Sequence, residues 1–209
     1  MPEVFIQGGE GKLQAKYSPS EQEKPNIAIE NPEASTRMAL AESITNICGV
    51  KHESLSNICF SANWMSSTKT ADERGDLLRG VQSLSNMADY LGLSIPVGKD
   101  SLSMNTSWNS EGNEHSVTSP MTLNISSFSN VSDLRKSVTP ELSTKDSTLL
   151  HVWINEGEFR LGGSSLYLSN NLFGGATPDV EDPEKFKQLF EASQDLISKG
   201  SIEALHDIS

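Results

Sequence analysis

Hydrophobic positions recur along this chain in two rhythms, one helical and one alternating. In "NPEASTRMALAESITNICG", Ala34, Met38, Ala41, Thr45 and Cys48 follow a helical stripe that Ile44 and Ile47 widen. Asn31 suits the N-cap, Pro32 the first helical position, Glu33 the positive end and Gly49 the stop. A longer amphipathic helix is predicted over residues 71–92, where Leu77, Leu78, Val81, Leu84, Met87, Ala88 and Leu91 share a face and Gly92 closes the run. Asp182-Pro183 opens another helix that ends near Gly200, and "RLGGSSLYLSNNL" reads as a glycine turn opening a helix. Alternation marks strands. Ile58 and Phe60 alternate with Cys59 and Ser61, and Met121, Leu123 and Ile125 form one face of "MTLNISSF". Leu93 to Val97 is an apolar run, and "TLLHVWI" reads as a strongly apolar strand.

Between these elements the pattern weakens. Residues 1–25, punctuated by Gly8, Gly9, Gly11, Pro19 and Pro25, read as an irregular lead-in. Asn26 to Ile29 suggests a short strand or extended segment, and the stretch with Asn105, Asn109, Gly112 and Asn113 a loop. Residues 137–147 have the polarity of a linker. The alternation of strands and helices predicts an α/β or α+β fold. The expected division is a lead-in at 1–25, a first domain at 26–140 and an incomplete second domain at 141–209.

Composition narrows the function. A net charge of -12 argues against broad nucleic-acid binding, while a small phosphate ligand stays compatible because local donors decide its binding. Cys48 and Cys59 have no CxxC partner, which speaks for reduced, buried thiols in a cytoplasmic protein rather than zinc. No apolar run reaches the roughly 18–20 residues of a membrane span, and no secretory signal is visible at the N-terminus.

Two patterns carry candidate chemistry. "GKDS" is not a P-loop, because Leu93 stands where the first glycine belongs and Asp100 follows the lysine. It reads instead as a glycine turn after a strand, exposing Lys99, Asp100 and Ser101, which either binds a phosphoryl group or is simply solvated. Glu42 and Asn46, one helical turn apart, offer two hard oxygen ligands on one face, although a solvated helix face is the commoner reason for such spacing. Asp207, next to His206, is a further hard oxygen donor. His52, His115, His151 and His206 show no metal-ligand spacing, and Trp64 and Trp108 read as packing residues. No residue stands out as catalytic.

"AESITNI", "SANWM", "GLSIPVGKDSLSM", Trp108, "TSPMTLNISSF" and "SVTPELS" occur in this order. From about Pro32 onward, the chain resembles the large single-chain form of phosphoribosylformylglycinamidine synthase. The resemblance implies the second of two aminoimidazole-ribonucleotide-synthetase-like repeats: its N-terminal half over 26–140 and the truncated start of its C-terminal α/β half over 141–209. It implies an ATP-dependent carbon–nitrogen ligase of purine biosynthesis with glutamine as nitrogen donor. Such an enzyme converts formylglycinamide ribonucleotide, glutamine and ATP to the amidine, glutamate, ADP and phosphate. The expected partners are the first repeat, paired through the sheets, and a glutaminase domain not found in this sequence; no nucleic acid or membrane is expected. It also implies a Mg2+-bound ATP or ADP at an auxiliary site, with Glu42, Asn46 and Asp207 as metal ligands and Ser209 touching the nucleotide. Lys99, Asp100 and Ser101 would face the inter-repeat region as a substrate-phosphate turn.

The departures are specific. Ala41 stands where the family has glycine, and the family's upstream metal-ligand aspartate has no counterpart in residues 1–31. The chain stops at "HDIS", so a fragment or truncated product is expected, inactive by itself. The alternative is a non-catalytic remnant or relative serving as a nucleotide-binding or interaction module. Other synthetases of the superfamily are disfavoured by "SANWM" and "VGKDSLSM".

Overall fold

The computed structural model describes residues 3–9, 12–18, 22–131, 133–142, 146–155 and 159–208, the first two segments as backbone alone. Its main sheet contains β1 (Glu3–Gly9), β2 (Lys12–Ser18), β3 (Cys59–Met65) and β4 (Ser94–Ser101). After a separate hairpin of β5 (Asn105–Ser110) and β6 (Asn113–Thr118), β7 (Thr122–Val131) completes it. The strand order is β1-β2-β7-β3-β4. Among the described strands of this sheet only β3 and β4 run parallel, and the helix between them supplies the long crossover such a pair requires. The fold is mixed α/β, as the element pattern predicts.

One sheet face is covered by helices. α1 (Pro25–Glu30) and α2 (Pro32–Ile47) pack together and against β7, α3 (Ala71–Leu91) packs on α2, and α5 (Pro183–Ser198) on α3; α4 (Ser165–Ser169) is a short turn between. The predicted caps are in place. Asn31 Oδ1 accepts from Ala34 N at 2.9 Å, and Asp182 Oδ1 from Lys185 N at 3.0 Å. Thr70 and Glu73 form a reciprocal capping box at the start of α3. Phe60, Leu40, Ile44, Ile47, Ile58, Leu123 and Ile125 are fully buried between α2 and the sheet. Phe186 and Phe190 of α5, beyond the expected boundary at 140, join the same cluster.

Four expectations are corrected. The lead-in is not irregular: β1 and β2 form a hairpin from Glu3↔Ser18 to Gly9↔Lys12. Its order comes from long-range pairing, since β2 lies against β7 at Ala15↔Val131 and Tyr17↔Ser129. Asn26 to Ile29 is helical, because Pro25 presets the first turn and Ile27 and Ala28 bury inward. The polar stretch after residue 104 is the β5–β6 hairpin. Glu111 (φ 51°) and Gly112 (φ 83°) both take the left-handed conformation a two-residue hairpin turn needs, and Trp108 stacks on His115 across the strands at 5.5 Å. "TLLHVWI" forms no strand: Leu149, Leu150, Val152 and Trp153 are exposed, and no described strand offers its backbone a ladder.

The Gly162-Gly163 turn holds the 159–180 segment against α1. Gly163 has φ +73°, and a Cβ there would lie 2.8 Å from Asn26 O and from Ile27 Cα. Gly163→Ala is expected to destabilise the fold beyond the left-handed penalty of about 1–2 kcal/mol, because the backbone of α1 must move. Gly174→Ala, equally left-handed but facing open space, carries only that penalty. Urea melts of the two variants check this; equal losses would contradict the close approach.

Candidate functional site

The sheet face away from the helices is polar. In the ladder, Lys99 lies opposite Asn63, and Asn63 opposite Asn124. One pair further along, Val97, Ser61 and Ser126 line up in the same way. With Gly98 these residues line a recess of about 250 Å³. Asn63 Oδ1 is buried there and accepts no hydrogen bond from any described residue. Such an acceptor is costly to bury unless something donates to it. Among the described residues, Lys99 is the only cation lining the recess, and no carboxylate lines it.

The predicted GKDS turn is therefore corrected. Gly98 to Ser101 continue β4 in register with Ala62 to Met65. Consecutive strand residues face opposite sides, so Lys99 and Ser101 share the open face while Asp100, opposite Trp64, belongs to the other. The three residues do not converge, and Lys99 alone reaches the recess. The sequence signal for the remaining lining residues was the polar half of each alternating strand, Ser61, Asn63, Asn124 and Ser126.

The second predicted cluster gathers at the C-terminal end of α2. Thr45 Oγ1 lies 3.1 Å from Asp207 Oδ2 and 3.1 Å from Glu42 O. Asn46 Nδ2 donates to Glu42 O at 3.1 Å. Asp207 is thus brought to the helix turn that carries Glu42 and Asn46, from the far end of the chain. Sequence reasoning missed one member. Lys24 Nζ stands 2.6 Å from Glu42 Oε2, which accepts no hydrogen bond of good geometry from the described residues. Ser209 lies outside the described residues. Among the described residues, no three His, Cys, Asp or Glu side chains group as a metal would require.

A wider hollow of about 390 Å³ opens at the other end of α2, between Glu33, Arg37 and Arg79. Its cations are committed: Arg37 makes a bidentate pair with Asp179 at 2.7 and 2.6 Å, and Arg79 pairs with Glu33 at 3.2 Å. It offers a ligand little.

A family model described as the FGAR-AT PurM_N-like domain matches residues 13–130, 118 of the 209. The chain belongs to this family. The match to the FGAR-AT PurM_N-like domain reaches back through β2, whereas the motif resemblance begins near Pro32. Solved structures give distant likenesses. Phosphoribosylformylglycinamidine synthase II of Thermotoga maritima is 16% identical, with a TM-score of 0.45, over 67% of this chain and 21% of its own. AaThiL complexed with AMPPCP and TMP is 8% identical, with a TM-score of 0.40, over 61% of this chain and 35% of its own. The HypE-HypF complex is 12% identical, with a TM-score of 0.40, over 56% of this chain and 34% of its own. The chain therefore spans only a minor part of each.

In this FGAR-AT PurM_N-like chain the histidine of greatest structural consequence is His52, which is 1% exposed. Its Nε2–H donates to Ile47 O at 2.9 Å, so bare Nδ1 accepts from Ser129 Oγ at 3.0 Å. Its backbone N–H donates to Gln194 Oε1 at 2.7 Å, and Gln194 Nε2 donates to Cys48 O at 2.8 Å, fastening α5 to the end of α2. Burial holds the imidazole below its ordinary pKa of 6.5. The unfolded chain then binds the proton more readily, so this contribution to stability is complete above pH 6.5 and is lost as pH falls from there through the lower folded value. Denaturant melts of wild type and His52→Asn across this range should diverge, the variant lacking that acid-side slope. Parallel curves would refute the assignment. Of the two free thiols, Cys48 is buried and its pKa raised by burial, while Cys59 is exposed, against the expectation of two buried thiols.

Proposed function

We propose that this chain supplies part of the synthetase site of an ATP-dependent carbon–nitrogen ligase, and that the recess around Lys99 holds the ribonucleotide substrate. The reaction is the conversion of formylglycinamide ribonucleotide, glutamine and ATP to formylglycinamidine ribonucleotide, glutamate, ADP and phosphate. The carrying observation is the chemistry of the recess: one ammonium, two hydroxyls and two amides, the oxygen of one of them buried without a partner among the described residues, on an otherwise acidic protein. A ribonucleotide amide complements it. Lys99 meets the phosphate as a point charge, and a ribose hydroxyl or amide N–H satisfies Asn63 Oδ1.

The polar face lies open, which suits a substrate held between this sheet and a second one. The first synthetase repeat is the partner this reading requires, with a glutaminase domain as the ammonia source. ATP or ADP accompanies the reaction. Free thiols agree with a cytoplasmic setting, and no helix among the described residues is long and apolar enough to cross a membrane.

Magnesium belongs to the family's auxiliary nucleotide. The resemblance would assign it to Glu42, Asn46 and Asp207, but the residues present do not fit a divalent ion, because Lys24 already neutralises Glu42 and Asp207 is engaged by the Thr45 hydroxyl. Within this reading, the work of the chain rests on the recess. Lys99 orients the phosphate, Asn63 fixes the amide or ribose end, and β3 and β7 hold both in register. Binding of formylglycinamide ribonucleotide to the Lys99→Met variant of the protein that carries this chain tests the proposal.

A further inference from the structure

We infer that Lys24 is the resident cation of the carboxylate site at the end of α2, its ammonium standing where a divalent ion would otherwise bind. The inference does not rest on the reaction proposed above. Lys24 Nζ lies 2.6 Å from Glu42 Oε2, and the side chains are only 20% and 9% exposed. That is within reach of the outer distances at which hard cations meet carboxylate oxygens.

The lysine is placed by the fold. Its carbonyl accepts from the buried Ser35 hydroxyl at 2.7 Å and from Ala28 N at 3.3 Å. Two residues earlier, Gln22 bridges Ile125 through reciprocal backbone bonds of 3.1 and 3.0 Å. The chain on both sides of Lys24 is thus fastened, to the sheet and to α2, and the ammonium is delivered to Glu42 from a segment without a single aspartate before residue 32.

The charges follow. A carboxylate in the place of Lys24 would set a second negative charge against Glu42 and call for a cation between them. A lysine reverses that charge, so the cluster balances within about one unit without any ion. Asp207 is further satisfied by the Thr45 hydroxyl at 3.1 Å. The site is then a fixed internal ion pair, and whatever it organises is independent of divalent metal.

Manganese, read by electron paramagnetic resonance, is the probe. Wild-type protein should show no tight Mn2+ site. Lys24→Met should gain at least about tenfold in Mn2+ affinity, since a positive charge at contact distance has been removed. Adding Glu42→Gln to that variant should abolish the gain. Equal affinity in wild type and Lys24→Met, whether both bind or neither does, overturns the inference. Should Lys24→Met fail to fold, the carboxylate carbon resonance of Glu42 in the wild type decides. No change with millimolar Mg2+ supports the resident lysine, and a saturable shift overturns it.

Discussion

Phe60→Ala is expected to lower the unfolding free energy by about 3–5 kcal/mol, the range for emptying a well-packed aromatic site. Phe60 is 1% exposed, in the second strand from the sheet's edge, on the face that α2 covers. Leu40, Ile44 and Ile125 of the same core cluster are themselves completely buried, so collapse around the missing ring is restricted. Since small domains hold only ~5–15 kcal/mol of stability, much of the native population at 37 °C would be lost. Phe128 is the internal control. It pairs with Cys59, one position away in the same ladder, but on the open face, where it is 42% exposed. Phe128→Ala should change stability by no more than about 1 kcal/mol. Denaturant melts of both variants check the facing of the sheet, and comparable losses would mean that the helix face and the open face have been exchanged.

What the sequence made legible follows from how local each signal is. α2, α3 and α5 were readable because cap, stripe and stop lie within a few turns of one another, as with Asn31, Thr70 and Asp182. β3 and β7 were readable because one face is buried and alternation survives. The β1–β2 hairpin was not, since its order comes from β7, more than a hundred residues away. The β5–β6 hairpin exposes both faces and so has no apolar alternation to reveal it. "TLLHVWI" failed in the opposite direction, an apolar run without a described neighbour to pair with.

The site divides in the same way. Glu42 and Asn46 were legible from helical spacing alone. Lys24 was not, because an ion pair between α1's cap and the C-terminal half of α2 leaves no periodic trace. The sequence around Lys99 carries the signature of a turn, whereas the residue lies within β4. Its real companions, Ser61, Asn63, Asn124 and Ser126, become neighbours only once three strands are set in register.

Lys99→Met is the second large effect. The substitution keeps the length of the side chain and removes the only cation that the described residues give the recess. A charge-assisted hydrogen bond to phosphate contributes about 1.5–3 kcal/mol, so substrate affinity should fall about 10- to 100-fold. Lys99 is exposed and pairs with no described acid, so the melting temperature should stay nearly unchanged. Lys99→Arg, which keeps the charge, should recover part of the affinity. The deciding measurement is calorimetric titration of formylglycinamide ribonucleotide into the protein that carries this chain, for wild type, Lys99→Met and Lys99→Arg. The proposed site predicts saturable binding that weakens at least about tenfold in Lys99→Met and partly returns in Lys99→Arg, with all three melting alike. An unchanged dissociation constant in Lys99→Met would contradict it.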